Sequence, residues 1–137
     1  RIFSTYGTGL KKQLFWDIYQ KSISNKVIVL NGTGNETRDY IYIDDLLSSI
    51  DLIINNDSFN NNIYNIASGK KISIKDVAEL FISLLSSKNK IVFNNNCFNG
   101  NPKYWEANIS KIKSLGFLPK TSIENGLSTY IEWLKSL

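Results

Sequence analysis

Histidine is absent from this 137-residue chain, and cysteine occurs once, at Cys97. Without an imidazole there is no Ser-His-Asp triad, no ordinary zinc site, and nothing to activate a lone thiol as a nucleophile. No metal site is therefore expected, and Cys97 reads as an inert thiol. A single cysteine forms no disulfide within the chain, which suits a reducing cytosol. No run of five or six like charges occurs, and the longest apolar stretches are far too short for a membrane span. No signal-peptide pattern is visible at the start. Arginine is nearly missing too: Arg1 and Arg38 stand alone among many lysines.

The remainder is ordinary globular material. With 42% apolar and 20% charged residues, the chain is neither a disordered tail nor a membrane segment, and its length suits one domain. The net charge of +4 and pI near 9.1 raise the question of nucleic acid. The lysines are scattered among Asp and Glu, however, so a solvated surface is the better reading and no nucleic-acid partner is expected. The first residues, "RIFSTYG", have strand character and begin at Arg1, so a fragment of a longer protein is expected.

Periodicity supplies a succession of mixed elements. Ile2 to Tyr6 reads as a short strand. "LKKQLFWDIYQKS" places Leu10, Leu14 and Ile18 at helical spacing. "VIVL" (27–30) and "KIVF" (90–93) read as strands, and "DYIYI" (39–43) alternates as a half-exposed strand should. Asp44 or Asp45 is expected to cap a helix with Leu46, Leu47, Ile50, Ile53 and Ile54 on its apolar face. "IYNIAS" (63–68) reads as a strand. Ser73 with Asp76, and Thr121 with Glu124, have capping-box spacing. The helix after Ser73 carries Val77, Leu80, Phe81, Leu84 and Leu85 inward, and the last helix carries Leu127, Tyr130, Ile131 and Leu134. Gly116 closes the short helix in "SKIKSLGF". With no repeat and no evident linker, the simplest reading is one compact α/β domain.

"NGTGNETRDYIYIDD" (31–45) resembles a phosphate loop at first sight. A dinucleotide fingerprint needs a third glycine and a following helix, and here Thr37 and a strand occupy those places. No G-K-[ST] follows for a Walker loop. Because "NG" is a strong hairpin signal, a hairpin between 27–30 and 39–43 is expected, displaying Arg38. Taken by itself, Arg38 beside Asp39 reads as a surface ion pair; the alternative is a fork of donors for a phosphate. Asp44 and Asp45 are adjacent and cannot face one another as an acid/base pair. Asn65 reads as a structural hydrogen-bonder, and Trp16, Trp105 and Trp133 as packing residues.

The ordered series "RIFSTYGTG", "NGTGNETRDYIYIDDLLSSI", "IYNIASGKKISIKDVAEL", "ANISKIKSLGFLP" and "SIENGLSTYIEWL" resembles the C-terminal part of the extended short-chain dehydrogenase/reductases. These are the NAD(P)-dependent nucleotide-sugar epimerases and dehydratases. In that family the N-terminal half carries the glycine-rich dinucleotide loop and a Tyr-x-x-x-Lys pair. None of the seven tyrosines here is followed four residues later by lysine. The resemblance thus implies a small mixed α/β substrate-binding domain over 1–137, with residues 1–6 a strand belonging to a Rossmann sheet whose remainder lies elsewhere. It implies no catalytic residue in this chain, and NAD or NADP bound in the full-length parent rather than by these residues.

By position, the resemblance assigns Arg38 to the substrate diphosphate, and Val29 and Asn31 to the flanks of the nucleobase. It assigns Gln13 and Leu14 to the phosphate-ribose portion, Ser4 to the sugar and diphosphate, and Phe3 to the nicotinamide end. Relatives carry R-x-G-D where this chain has Phe98 and Asn101. A second phosphate-binding arginine is therefore replaced, with Lys103 the nearest cation. The implied partners are a nucleotide sugar and an N-terminal Rossmann domain. A homodimeric parent is left open, as is the alternative of a non-catalytic binding or regulatory module of the same fold.

Overall fold

The computed structural model of the chain describes residues 1–58, 60–97 and 100–137. The elements run β1 (Ser4–Tyr6), α1 (Gln13–Ser24), β2 (Val27–Leu30), β3 (Thr37–Tyr42), α2 (Ile43–Asn56), β4 (Lys71–Ser73), α3 (Ile74–Leu84), β5 (Lys90–Phe93), α4 (Ser110–Lys113) and α5 (Ile123–Lys135). One sheet has the order β1-β3-β4, with β1 parallel and β4 antiparallel to β3; β2 and β5 form a separate parallel pair. The architecture is therefore mixed α/β, as the alternation of periods implies.

The expected hairpin does not form. β2 pairs with β5, Val27 opposite Lys90 and Leu30 opposite Phe93, whereas β3 sits between β1 and β4. Gly32 and Gly34 do turn the chain, with φ of +91° and +85°, but they deliver it to another sheet. A turn signal is local; which strand a segment joins depends on where its apolar side chains are buried. Ile28 and Leu30 enter a core with Phe15, Ile18, Val77, Phe81 and Tyr130.

β3 divides the interior. Tyr42 packs into that core with Tyr40 against it, while Ile41 points to a second cluster with Leu46, Tyr64, Ile66, Ile109 and Phe117. The strand is thus covered on both faces rather than half-exposed: Ile41 and Asp39 are buried, and so is Tyr42. On α2 the anticipated apolar face is largely uncovered. Leu46 is buried and Ile53 packs at the edge, but Leu47, Ile50 and Ile54 face outward. "IYNIAS" contributes only a single parallel bridge, Ile66 to Ile2.

Some caps fall where the spacing put them. Ser73 Oγ accepts from Asp76 N at 3.0 Å, and Gly116 turns at φ +98° after α4. Others move. Ser122, not Thr121, caps α5 by accepting from Asn125 N. Neither Asp44 nor Asp45 caps α2, which starts at Ile43 with no side-chain cap. Asp45 is instead buried and accepts from the backbone N–H groups of Lys120 and Thr121 at 3.0 and 2.9 Å. It ties α2 to the entry of α5, whose Leu127, Tyr130, Ile131 and Leu134 are buried as expected. Asn65 donates to Asn108 O, a structural bond.

Candidate functional site

Arg38 lies on β3, one residue before the buried Asp39, and alternation sends the two side chains apart. No ion pair links them. Asp39 accepts from Ser68 N and Oγ, Gly69 N and Ala107 N, at 2.9, 2.7, 3.0 and 3.3 Å. The Arg38 guanidinium donates from Nη1 to Thr37 O and Pro102 O, at 2.7 and 2.8 Å, and from Nη2 to Asn101 Oδ1 at 2.7 Å. Its carbon lies 5.6 Å from the centre of the Trp105 ring. Trp105 is therefore a platform for the cation, while Trp16 and Trp133 pack against the core.

This clamp comes from a strap, residues 101–107, laid along β3. Besides the Arg38 contacts, Thr37 N donates to Lys103 O and Trp105 N to Thr37 Oγ1. Of the five guanidinium N–H groups, three are spent on the protein. The Nε–H and one Nη2–H have no partner among the described residues and are free to meet an oxyanion. A guanidinium held this way is pre-oriented, so little rotamer freedom is lost when it takes a ligand.

Two adjoining cavities open onto Arg38 and share Leu14 and Ile74 as well. The smaller, about 190 Å³, is also lined by Ser4, Lys12, Gln13 and Tyr40. The larger, about 590 Å³, adds Asn31, Glu36, Cys97, Asn101 and Lys103. Ser4, Gln13, Leu14, Asn31 and Arg38 thus converge on one groove. Val29 does not line either cavity; its side chain is exposed and its carbonyl accepts from Lys21 Nζ. Phe3 lines neither cavity. It lines a pocket with Ile2, Thr5, Ile43 and Gln13 and meets the Trp105 ring edge-on. Gln13, the first residue of α1, has φ +68°, a left-handed conformation for a non-glycine residue. Such strain costs roughly 1–2 kcal/mol and clusters at ligand sites.

The groove is basic. Of its carboxylates, Asp17 is paired with Lys21 at 2.7 Å, and Glu36 is tied to the loop before β3. Lys12 and Lys103 add positive charge to Arg38. Lys103 lines the larger cavity beside Asn101, whose Oδ1 accepts from the Arg38 guanidinium and helps to orient it. Phe98 lies outside the described residues. Burial pushes the Tyr40 phenol well above its ordinary value, with Arg38 pulling the other way, so it stays protonated as a donor. Sequence reading missed Lys12 and Tyr40. Tyr40 was findable, since it lies two residues beyond Arg38 on one strand face; Lys12 carried no signal of its own.

The glycine loop has a different occupant from the one its composition suggests. The backbone N–H groups of Thr33 and Gly34 both donate to the Glu36 carboxylate, as does the Thr33 hydroxyl. Burial would raise the Glu36 pKa, but these bonds and its own backbone N–H outweigh it and hold it below the usual carboxylate range. A Cβ on Gly32 would lie 3.0 Å from the same carboxylate. The donors that a pyrophosphate would need are already filled by a charge of the same sign, so this loop does not fit a dinucleotide. No cluster of three or more His, Cys, Asp or Glu that could hold a metal occurs among the described residues. No helix there is long and apolar enough to cross a membrane.

Parallel strands, crossover helices and a basic groove lined by an arginine define an α/β protein with a candidate anion site. Residues 1–67 match the model of the NAD dependent epimerase/dehydratase family. A putative GDP-L-fucose synthase of Arabidopsis thaliana is 32% identical over 77% of this chain and 32% of its own length. An uncharacterized UDP-glucose epimerase of Bacillus subtilis is 27% identical over 100% of the chain and 44% of its own. The UDP-glucuronic acid 4-epimerase of Bacillus cereus, solved with UDP-glucuronic acid and NAD, superposes with a TM-score of 0.86 at 26% identity, over 99% of this chain and 44% of that one. The chain belongs to the NAD-dependent epimerase/dehydratase family, within the extended short-chain dehydrogenase/reductases. It spans less than half the length of the curated relatives it matches.

Proposed function

We propose that this chain is the substrate-binding portion of an NAD(P)-dependent nucleotide-sugar epimerase or dehydratase, and that Arg38 anchors the substrate diphosphate. The observation that carries the reading is the Arg38 guanidinium, fixed by three protein acceptors with two N–H groups left over. Arg38 lines both cavities of the groove to which Ser4, Gln13, Leu14 and Asn31 also belong. A guanidinium so held supplies charge-assisted hydrogen bonds to a phosphate. Lys12 and Lys103 add long-range attraction, and the Tyr40 hydroxyl a neutral donor. Asn31 and the backbone around Val29 would flank the base, and Phe3 would approach the nicotinamide end of a bound dinucleotide.

The chemical role is remote binding. Energy from gripping the nucleoside diphosphate offsets the entropic cost of orienting the sugar for reaction. The dinucleotide loop and a Tyr-x-x-x-Lys base belong to an N-terminal Rossmann part, with residues 1–6 a strand of its sheet. NAD(P) held there would supply the hydride chemistry at the sugar ring, while the residues of this chain bind and orient the nucleotide. A reducing cytosolic setting suits the exposed, unpaired Cys97.

Calorimetric titration of the chain with UDP and with GDP tests the reading. Loss of two charge-assisted hydrogen bonds, about 1.5–3 kcal/mol each, predicts that Arg38→Ala weakens nucleotide binding by roughly a hundredfold or more. Arg38→Lys should recover only part, since an ammonium keeps the charge without the fork. Undiminished affinity in Arg38→Ala overturns the assignment. A non-catalytic module of the same fold would share this binding. Nucleotide-sugar turnover once the N-terminal part is supplied separates the two.

A further inference from the structure

A cavity of about 510 Å³ lies outside the Arg38 groove and touches it only through Tyr6 and Tyr40, which line both. It is gathered from three separated stretches: 68–72, Lys113 and 118–124. Of its apolar lining, Tyr6, Tyr40, Ile72, Pro119 and Ile123 are buried or half-buried and form the floor, while Leu118 is exposed. Lys70, Lys71, Lys113 and Lys120 are exposed and form the rim. Four of the chain's 16 basic residues thus surround one concavity. Lys71 is bound to Glu106 at 2.8 Å. The ammonium groups of Lys70, Lys113 and Lys120 have no partner among the described residues, and Glu124 is the one carboxylate lining the cavity.

The size lies within the range of small-molecule sites, about 300–1,000 Å³. Unspent ammonium groups above an apolar, partly aromatic floor match a ligand with the complementary division: a flat apolar body and an anionic end. Four lysines bordering one concavity, three of them without a carboxylate partner among the described residues, give it a positive field that attracts an anion. We propose that this cavity is a second binding site, for a small aromatic anion carrying a phosphate or carboxylate. Its occupant would rest on Tyr6 and Tyr40, the residues that also line the Arg38 groove, so the two sites would sense one another through these rings.

Phenyl phosphate is the probe, titrated into the full chain and followed by amide chemical shifts. Saturable shifts are expected at residues 68–72 and 121–124. Inorganic phosphate and benzyl alcohol, each carrying half of the chemistry, should bind about tenfold more weakly or worse. The double variant Lys70→Glu/Lys120→Glu should lose about tenfold or more in affinity at low salt, with its thermal midpoint near that of the wild type because both side chains are exposed. Lys113→Glu gives an independent reading of the same rim. Shifts confined to residues 31–38, an absence of saturation, inorganic phosphate binding as tightly as phenyl phosphate, or rim variants that bind normally would each overturn the proposal.

Discussion

Asp39→Asn keeps the side-chain shape and removes one acceptor and the charge. The wild-type carboxylate is fully buried and accepts four hydrogen bonds, two at each oxygen: Ser68 N and Oγ at Oδ1, Gly69 N and Ala107 N at Oδ2. In asparagine one of those positions becomes an NH2 group. If it faces Gly69 and Ala107, two backbone donors are stranded. If it faces Ser68, the hydroxyl can rotate to accept, but the Ser68 N–H is stranded. An unsatisfied buried donor costs about 1–3 kcal/mol, and the surviving bonds fall from charge-assisted to neutral strength. The better orientation therefore still destabilises by roughly 3–6 kcal/mol, a large share of the 5–15 kcal/mol typical of a domain. Urea denaturation followed by circular dichroism reads the global loss, and amide exchange at Ser68, Gly69 and Ala107 reads the local one. An Asp39→Asn protein within 1 kcal/mol of wild type, with those amides still protected, would refute the view that this carboxylate fastens the 68–69 loop and the strap to β3.

Two further perturbations probe the framework around the groove. In Gly126→Ala the new Cβ would sit 2.2 Å from Tyr6 Oη and 2.9 Å from Tyr42 Cδ2; overpacking should cost about 1–3 kcal/mol in chemical denaturation, and a neutral result would contradict the packing of α5 on the β1–β3 tyrosines. For Glu36, the folded-state pKa is depressed below the ordinary 4.5. Its contribution is therefore present above that value and fades as pH falls through the folded-state pKa. The stability difference between wild type and Glu36→Gln should shrink on acidification below about pH 4.5. A difference independent of pH would mean that the carboxylate does not hold the glycine loop.

The mixed α/β character, β2, β5, the Ser73 cap and the inward face of α5 were all legible in the sequence. Each depends on residues within a turn or two of one another, where period and capping chemistry act directly. Arg38 stood out as a candidate, being the one arginine beyond the first residue and falling within the segment most like the family. The clamp that orients it was not. Its acceptors Asn101 and Pro102 lie 63 and 64 residues away in the chain, and no local pattern announces such a meeting. For the same reason Asp39 looked like the partner of its neighbour Arg38, although its true partners are 29 to 68 residues distant. The glycine loop shows the division most plainly. Its sequence determined that the chain must turn at Gly32 and Gly34. Only the tertiary structure decided that β2 and β3 enter different sheets, and that the loop's N–H groups close on Glu36 instead of on a phosphate. Turn geometry is a property of a few dihedral angles, whereas strand partnership and donor occupancy follow from which distant surfaces are buried together.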